Sequence, residues 1–187
     1  MNIIEKTVKH TILVTKHRWN VFKLAVRAGI PFRGLVHDLS KFSPTEFCES
    51  VKYYTGKGSP INECKKDKGY SLAWLHHKGR NKHHLEYWED CANGTRTGAY
   101  LPYKYMVELI CDRIAAGKVY NGDKWNTSEP LKYWLKVDKI KPTVVHPATV
   151  KFIETVFKNL EEKGIEETIN PKYLKKVYND IKNEFNL

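Results

Sequence analysis

The chain has 187 residues, enough for one domain with a substantial core, and its 41% hydrophobic and 28% charged content excludes an intrinsically disordered protein. No apolar run approaches the ~20 residues that span a bilayer, and the charges spaced through residues 1–14 exclude a signal peptide, so a cytoplasmic location and no membrane partner are expected. The net charge of +11 is uneven: residues 1–120 hold 20 Lys and Arg against 11 Asp and Glu, together with seven of the eight histidines, which favours an anionic partner.

Taken along the chain, the punctuation is helical throughout. His10, Val14, His17, Val21, Leu24 and Ala28 recur at steps of three and four and predict a long helix over residues 3–28, stopped by Gly29 and Pro31. Pro31 opens a short second helix to about residue 39, and Ser43-Pro44-Thr45-Glu46 is a capping-box pattern that opens a third. Residues 55–69, rich in Gly and Lys, read as a loop. A fourth helix over 70–78 is followed by a break at Gly79, a turn near 83–89 and a loop over 90–101. Pro102 starts a helix to about residue 117, and further starts fall at Ser128-Glu129-Pro130, His146-Pro147 and Asn170-Pro171, with Gly164 as a stop. Alternating β-branched runs are absent, and Asn121-Gly122 has no alternating apolar flanks. The expected fold is all-α, a single-domain helical bundle over residues 1–187, with its chemistry in residues 1–120 and helical scaffold in 121–187.

Cys48, Cys64, Cys91 and Cys111 lie far apart with no C-x-x-C pair, which excludes a zinc finger and argues for free thiols. Histidine carries the stronger signal. His76, His77, His83 and His84 fall within nine residues, and His37-Asp38 joins an imidazole to a carboxylate. These are the donors that suit Zn, Fe, Mn, Ni and similar ions. The apolar stripe on the first helix turns His17 inward, with His10 seven residues before it on the same stripe. Tyr105, Leu109, Asp112 and Ala116 form a second stripe, and an inward carboxylate needs a cation or a hydrogen-bond donor.

The order His17 … His37-Asp38 … Asp112 resembles the H…HD…D signature of the HD-domain superfamily of metal-dependent phosphohydrolases, and residues 37–41 are similar to its H-D-x-x-K segment. More narrowly, W-L-H-H-K-G-R-N-K-H-H over residues 74–84 resembles a bacterial and phage branch known as a domain of unknown function. That likeness extends from His17 through Asp112 to the helix at His146-Pro147. The resemblance implies a bundle of the HD type in which His17, His37, Asp38 and Asp112 hold one divalent ion. It implies a second ion held by His77 with His83 or His84, the metal being Mn, Fe, Co, Ni, Zn or Mg. The H-H-E-x-x-D-G-x-G-Y-P motif of cyclic-dinucleotide phosphodiesterases is absent.

The expected activity is therefore hydrolysis of a nucleotide or other small phosphoester by metal-activated water. Asp38 either bridges two ions or, in a one-metal site, holds the ion beside that water, and Lys41 neutralises the phosphate. Lys78, Arg80, Asn81 and Lys82, flanking the histidines, are expected to contact the anionic substrate. The alternatives are a di-iron oxygenase on the same scaffold and a non-catalytic metal- or nucleic-acid-binding protein; nucleic acid is the less favoured partner.

Overall fold

The computed structural model describes all 187 residues, of which 72% are helical. The only sheet is one antiparallel pair of four-residue strands, so the fold is all-α.

Helix α1 spans Ile3–Arg27, with the Asn2 side chain accepting from Glu5 N–H at its start. It buries His10, Val14, Val21, Leu24 and Ala25, the face its stripe predicts. Helix α2, Pro31–Val36, crosses α1 at very close range. A Cβ on Gly34 would lie 2.5 Å from Ala25 Cβ and 3.0 Å from the Phe22 Cα, so only glycine allows that crossing. The second helix ends earlier than expected, because His37 and Asp38 leave the helical conformation. Asp38 is left-handed, with φ 52°, and a 3₁₀ turn over Leu39–Phe42 follows.

Helices α3 (Pro44–Lys52), α4 (Pro60–Lys68) and α5 (Leu72–Arg80) form a layer beside α1. The α4 segment was expected to be loop; it is a polar helix that buries only Pro60 and Cys64, so it carries almost no apolar stripe. Gly79 does not break α5, which continues to Arg80. A 3₁₀ turn over Leu85–Trp88 then leads into a hairpin, β1 (Glu89–Ala92) and β2 (Thr95–Gly98), where a loop was expected. Asn93 and Gly94, both at positive φ, make its two-residue turn.

Helix α6, Tyr103–Asn121, is the central element, buried on nearly every side from Met106 to Ala115. It packs on α1 and α2 and also on α8 (Pro147–Thr168) and α9 (Pro171–Glu184). Helix α7, Glu129–Tyr133, runs into one turn of π-helix, Trp134–Asp138. Gly164, at φ 77°, kinks α8 where a stop was expected. A single core of 24 buried residues joins α1, α6, α8 and α9, with Trp134, Phe152, Phe157 and Leu160 among its largest buried side chains. Burying a side chain of that size contributes roughly 1.5–3 kcal/mol, so this half anchors α6. The opposite side of α6 and the inner face of α1 are left to meet the α3–α5 layer, and the polar cluster lies there.

Candidate metal centre

Seven side chains from five places in the chain converge between α1, α6 and α5. His17 comes from α1 and Asp112 from α6. His37 and Asp38 come from the junction after α2, His77 from α5, and His83 and His84 from the turn after it. All except His17 are buried, and the His17 side chain is only 13% exposed.

They form two quartets. His17, His37, Asp38 and Asp112 place one ligand atom each within 4.8 Å of one another, and so do Asp38, His77, His83 and His84. Asp38 belongs to both, with its two oxygens divided between them. Oδ2 lies 3.4 Å from His37 Nε2, while Oδ1 lies 3.4 Å from His77 Nε2 and 3.5 Å from His83 Nε2. In the first quartet His17 Nε2 is 3.0 Å from Asp112 Oδ1 and 3.4 Å from His37 Nε2, which is itself 3.6 Å from Asp112 Oδ1.

These spacings carry chemical information. Separations of 3.4–3.6 Å are too long for good hydrogen bonds. Two ligands about 2.1 Å from a shared ion lie about 3.0 Å apart at right angles and about 3.4 Å apart at the tetrahedral angle. Asp38 Oδ1, His83 Nε2 and His84 Nε2 are buried with no hydrogen-bond partner. Leaving such atoms unmet costs roughly 1–3 kcal/mol each, more for a charge, and a cation meets all three at once. The donor set and the orphaned atoms both fit a divalent ion.

Two glutamates behind the imidazoles set which nitrogen faces inward. His37 Nδ1 donates to Glu108 Oε1 at 3.0 Å, and His83 Nδ1 lies 3.3 Å from the same oxygen. His76 Nδ1 and His77 Nδ1 donate to the two oxygens of Glu46 at 2.6 and 2.8 Å. The Glu46 contact holds the His77 proton on Nδ1, leaving its Nε2 lone pair toward Asp38, and the Glu108 contact orients the His37 ring with Nε2 facing Asp38. A third group of possible ligands, His37, His83 and Glu108, is thus explained as a support, because it meets through the Nδ1 atoms. Glu108 is fully buried and also accepts from Arg33 Nη2 at 2.7 Å. Asn81 Nδ2 donates to Ser40 Oγ at 2.8 Å and to the His77 carbonyl at 2.9 Å, tying the 3₁₀ turn to α5.

The field at the centre calls for positive charge. Burial disfavours the His37 imidazolium, yet the Asp38 charge and hydrogen bonds to Asp112 and Glu108 lift its pKa to about 10. In the second quartet burial dominates, lowering His77 below the ordinary imidazole value and His84 well below it, so both present neutral lone pairs. Lys41 Nζ stands 3.4 Å from Asp38 Oδ2; burial opposes its charge, but Asp38 and Asp112 hold it raised.

The second quartet takes in both His83 and His84 beside His77, where one of the two was expected. His76 turns to Glu46, and His10 packs against Phe47 and Tyr54 outside both quartets. His146 caps α8, accepting from Ala148 N–H. A cavity of about 190 Å³ opens onto the centre, with Lys41, Arg113 and Tyr120 in its wall, and a second of about 890 Å³ adjoins it. Lys78, Arg80, Asn81 and Lys82 line neither. Lys82 lies instead over the rings of Tyr87 and Tyr105, Arg80 is exposed, and Asn81 is a buried brace. The cavity cations are Lys41, Lys57, Lys65, Arg113 and Lys141.

No curated protein and no solved structure matches this chain. Its residues 6–159 match the family of unknown function DUF5662, and that span takes in every member of both quartets; the chain belongs to that family.

Proposed function

We propose that this protein is a metal-dependent phosphohydrolase whose centre holds two divalent ions sharing Asp38. The observation that carries the reading is the division of Asp38 between the quartets, one oxygen toward each. The resemblance of His17 … His37-Asp38 … Asp112 to the HD-domain signature supports the same conclusion. Ions bound there supply a lowered pKa for attacking water and polarisation of a phosphoryl oxygen. The protein's own groups do the rest. Asp38, buried and held left-handed by the turn after α2, fixes the two quartets relative to each other. Lys41 and Arg113 bring cations to the wall of the smaller cavity, where they neutralise and orient a phosphoryl group. Glu46 and Glu108 hold the imidazoles in register.

The test is elemental analysis of the purified protein together with hydrolysis of p-nitrophenyl and bis(p-nitrophenyl) phosphate across Mn, Co, Ni, Zn, Mg and Fe. Metal-dependent turnover, lost in Asp38→Asn with helicity intact, is expected. A metal-loaded protein that turns over neither ester overturns the reading. The nitrogen-rich donor set, five imidazoles to two carboxylates, also suits a di-iron oxygenase. Retained iron with oxygen uptake, and no ester hydrolysis, selects that alternative.

A further inference from the structure

The two cavities are continuous and differ in character. Trp74, His84, Arg113, Ala116 and Tyr120 line both, so the larger groove begins at the second quartet. The smaller, about 190 Å³, has room for a phosphoryl group and water. The larger, about 890 Å³, is near the upper end of the roughly 300–1,000 Å³ that accommodates a whole small ligand. A single small phosphoester leaves most of it unused.

Its walls are basic and aromatic. Lys57 and Lys65 come from the α4 side; Arg113 and Lys141 come from the opposite side. Two carboxylates, Glu86 and Glu129, share the lining, and Glu129 lies 3.5 Å from Lys132. Lys141 and Arg113 both lean on buried Asp138 of the π-turn, at 2.7 and 2.8 Å, which fixes their heads at the groove. Lys65 and Lys57 make no ion pair, although Lys65 is half-buried over the Trp74 ring at 4.9 Å. Burial and the Lys141 charge lower the Lys65 pKa against the opposing pull of the Glu86 carboxylate. Tyr120 and Tyr133 are 55% and 48% exposed, with the Arg113 guanidinium 5.8 Å from the centre of the Tyr133 ring. Trp74 stands at the junction, its ring 5.0 Å from that of His84. Cations along both walls with aromatic platforms between them suit a phosphate backbone whose bases stack.

We propose that this groove binds the nucleotides flanking the scissile bond of a single-stranded oligonucleotide, so that the substrate is a phosphodiester chain. The assignment rests on the phosphohydrolase reading above. Cleavage adds one water across a P–O bond and leaves a phosphomonoester on one fragment and a hydroxyl on the other, with no further reactant.

Binding is measured first in EDTA, by fluorescence anisotropy of labelled octathymidylate, with thymidine monophosphate as competitor. Phosphate contacts from three of the four groove cations give a slope of about −2 in log affinity against log salt, hence about 20-fold weaker binding at 200 mM than at 50 mM. Lys65→Gln removes one contact, reducing that ratio to about 7-fold, and Tyr133→Ala weakens binding by at least about 5-fold. Lys175→Gln, on the exposed face of α9, leaves binding unchanged. Octathymidylate that binds no more tightly than the mononucleotide, or binding indifferent to both groove variants, overturns the proposal. Hydrolysis of bis(p-nitrophenyl) phosphate by the metal-loaded protein separates the two readings. Turnover of that ester without preference for the oligonucleotide sinks the groove assignment alone. Tight, groove-dependent oligonucleotide binding with no hydrolysis of either substrate sinks the hydrolase reading and sustains the groove.

Discussion

Replacing Glu108 by Gln removes one negative charge from behind two imidazoles and keeps the side-chain shape. Glu108 is fully buried and accepts from His37 Nδ1 at 3.0 Å and pairs with Arg33 Nη2 at 2.7 Å, with His83 Nδ1 3.3 Å away. The amide offers one acceptor oxygen, and its NH₂ must confront one of those donors. Two consequences separate. Losing a charged acceptor and stranding a donor costs roughly 2–4 kcal/mol of stability without metal. The imidazoles also lose the contact that fixes their tautomer, an outer-layer change that costs about 10–100-fold in metal affinity. Urea denaturation in EDTA reads the first, and competition with a chromophoric chelator reads the second. Arg33→Met strips the counter-ion but leaves both histidine contacts, so its metal affinity should fall less than that of Glu108→Gln. Metal affinity within twofold of the natural protein in Glu108→Gln, with stability reduced, would refute the orienting role and leave Glu108 a counter-ion for Arg33.

The Glu49 carboxylate caps α5, accepting from Ser71 Oγ and from the backbone N–H groups of Leu72 and Ala73. Burial raises its pKa, but those bonds outweigh it and hold the group below its ordinary 4.5. Its stabilisation is therefore complete above that value and is lost as pH falls through the lower folded value. Glu49→Gln should cost about 1 kcal/mol at pH 7 in urea denaturation, with the gap closing at more acid pH; an undiminished gap there would contradict the cap. Gly79→Ala should stabilise by about 0.5–1 kcal/mol, because the position is helical and its Cβ meets nothing within 4 Å. Gly98→Ala should destabilise by about 2 kcal/mol, because its Cβ would lie 2.6 Å from both His146 N and Val144 O; equal thermal shifts for these two variants would count against the packing described. Lys41→Met should lower kcat by about 10–100-fold with metal content unchanged, and an unchanged kcat removes Lys41 from phosphate stabilisation.

The clustered residues were legible because their signals are local: adjacency in His37-Asp38, density in His76–His84, and helical spacing for His17 and Asp112. Their supports were not, since Glu108 and His37 are 71 residues apart. One cue existed, for Glu108 lies one helical turn before Asp112 and must turn inward with it. Glu46 was hidden by a second pattern. It completes a capping box in sequence, and Ser43 Oγ does accept its backbone N–H at 3.4 Å, but its carboxylate turns to His76 and His77 instead of back to Ser43. The α4 helix and the hairpin left little trace because neither buries a patterned face. Six of the eight strand residues are exposed and only Glu89 and Gly98 are half-buried, leaving Asn93-Gly94 as the hairpin's one mark. The groove cations escaped because α4 and the segment after the π-turn meet only in the folded chain.

Two ions sharing one carboxylate are tested most directly by calorimetric titration of metal-free protein with Mn or Zn. Two ions per chain are expected for the natural protein. Asp38→Asn should weaken both sites together, because Oδ1 and Oδ2 face different quartets. A protein that binds no ion, or an Asp38→Asn variant that still binds two with unchanged affinity, would contradict the shared centre.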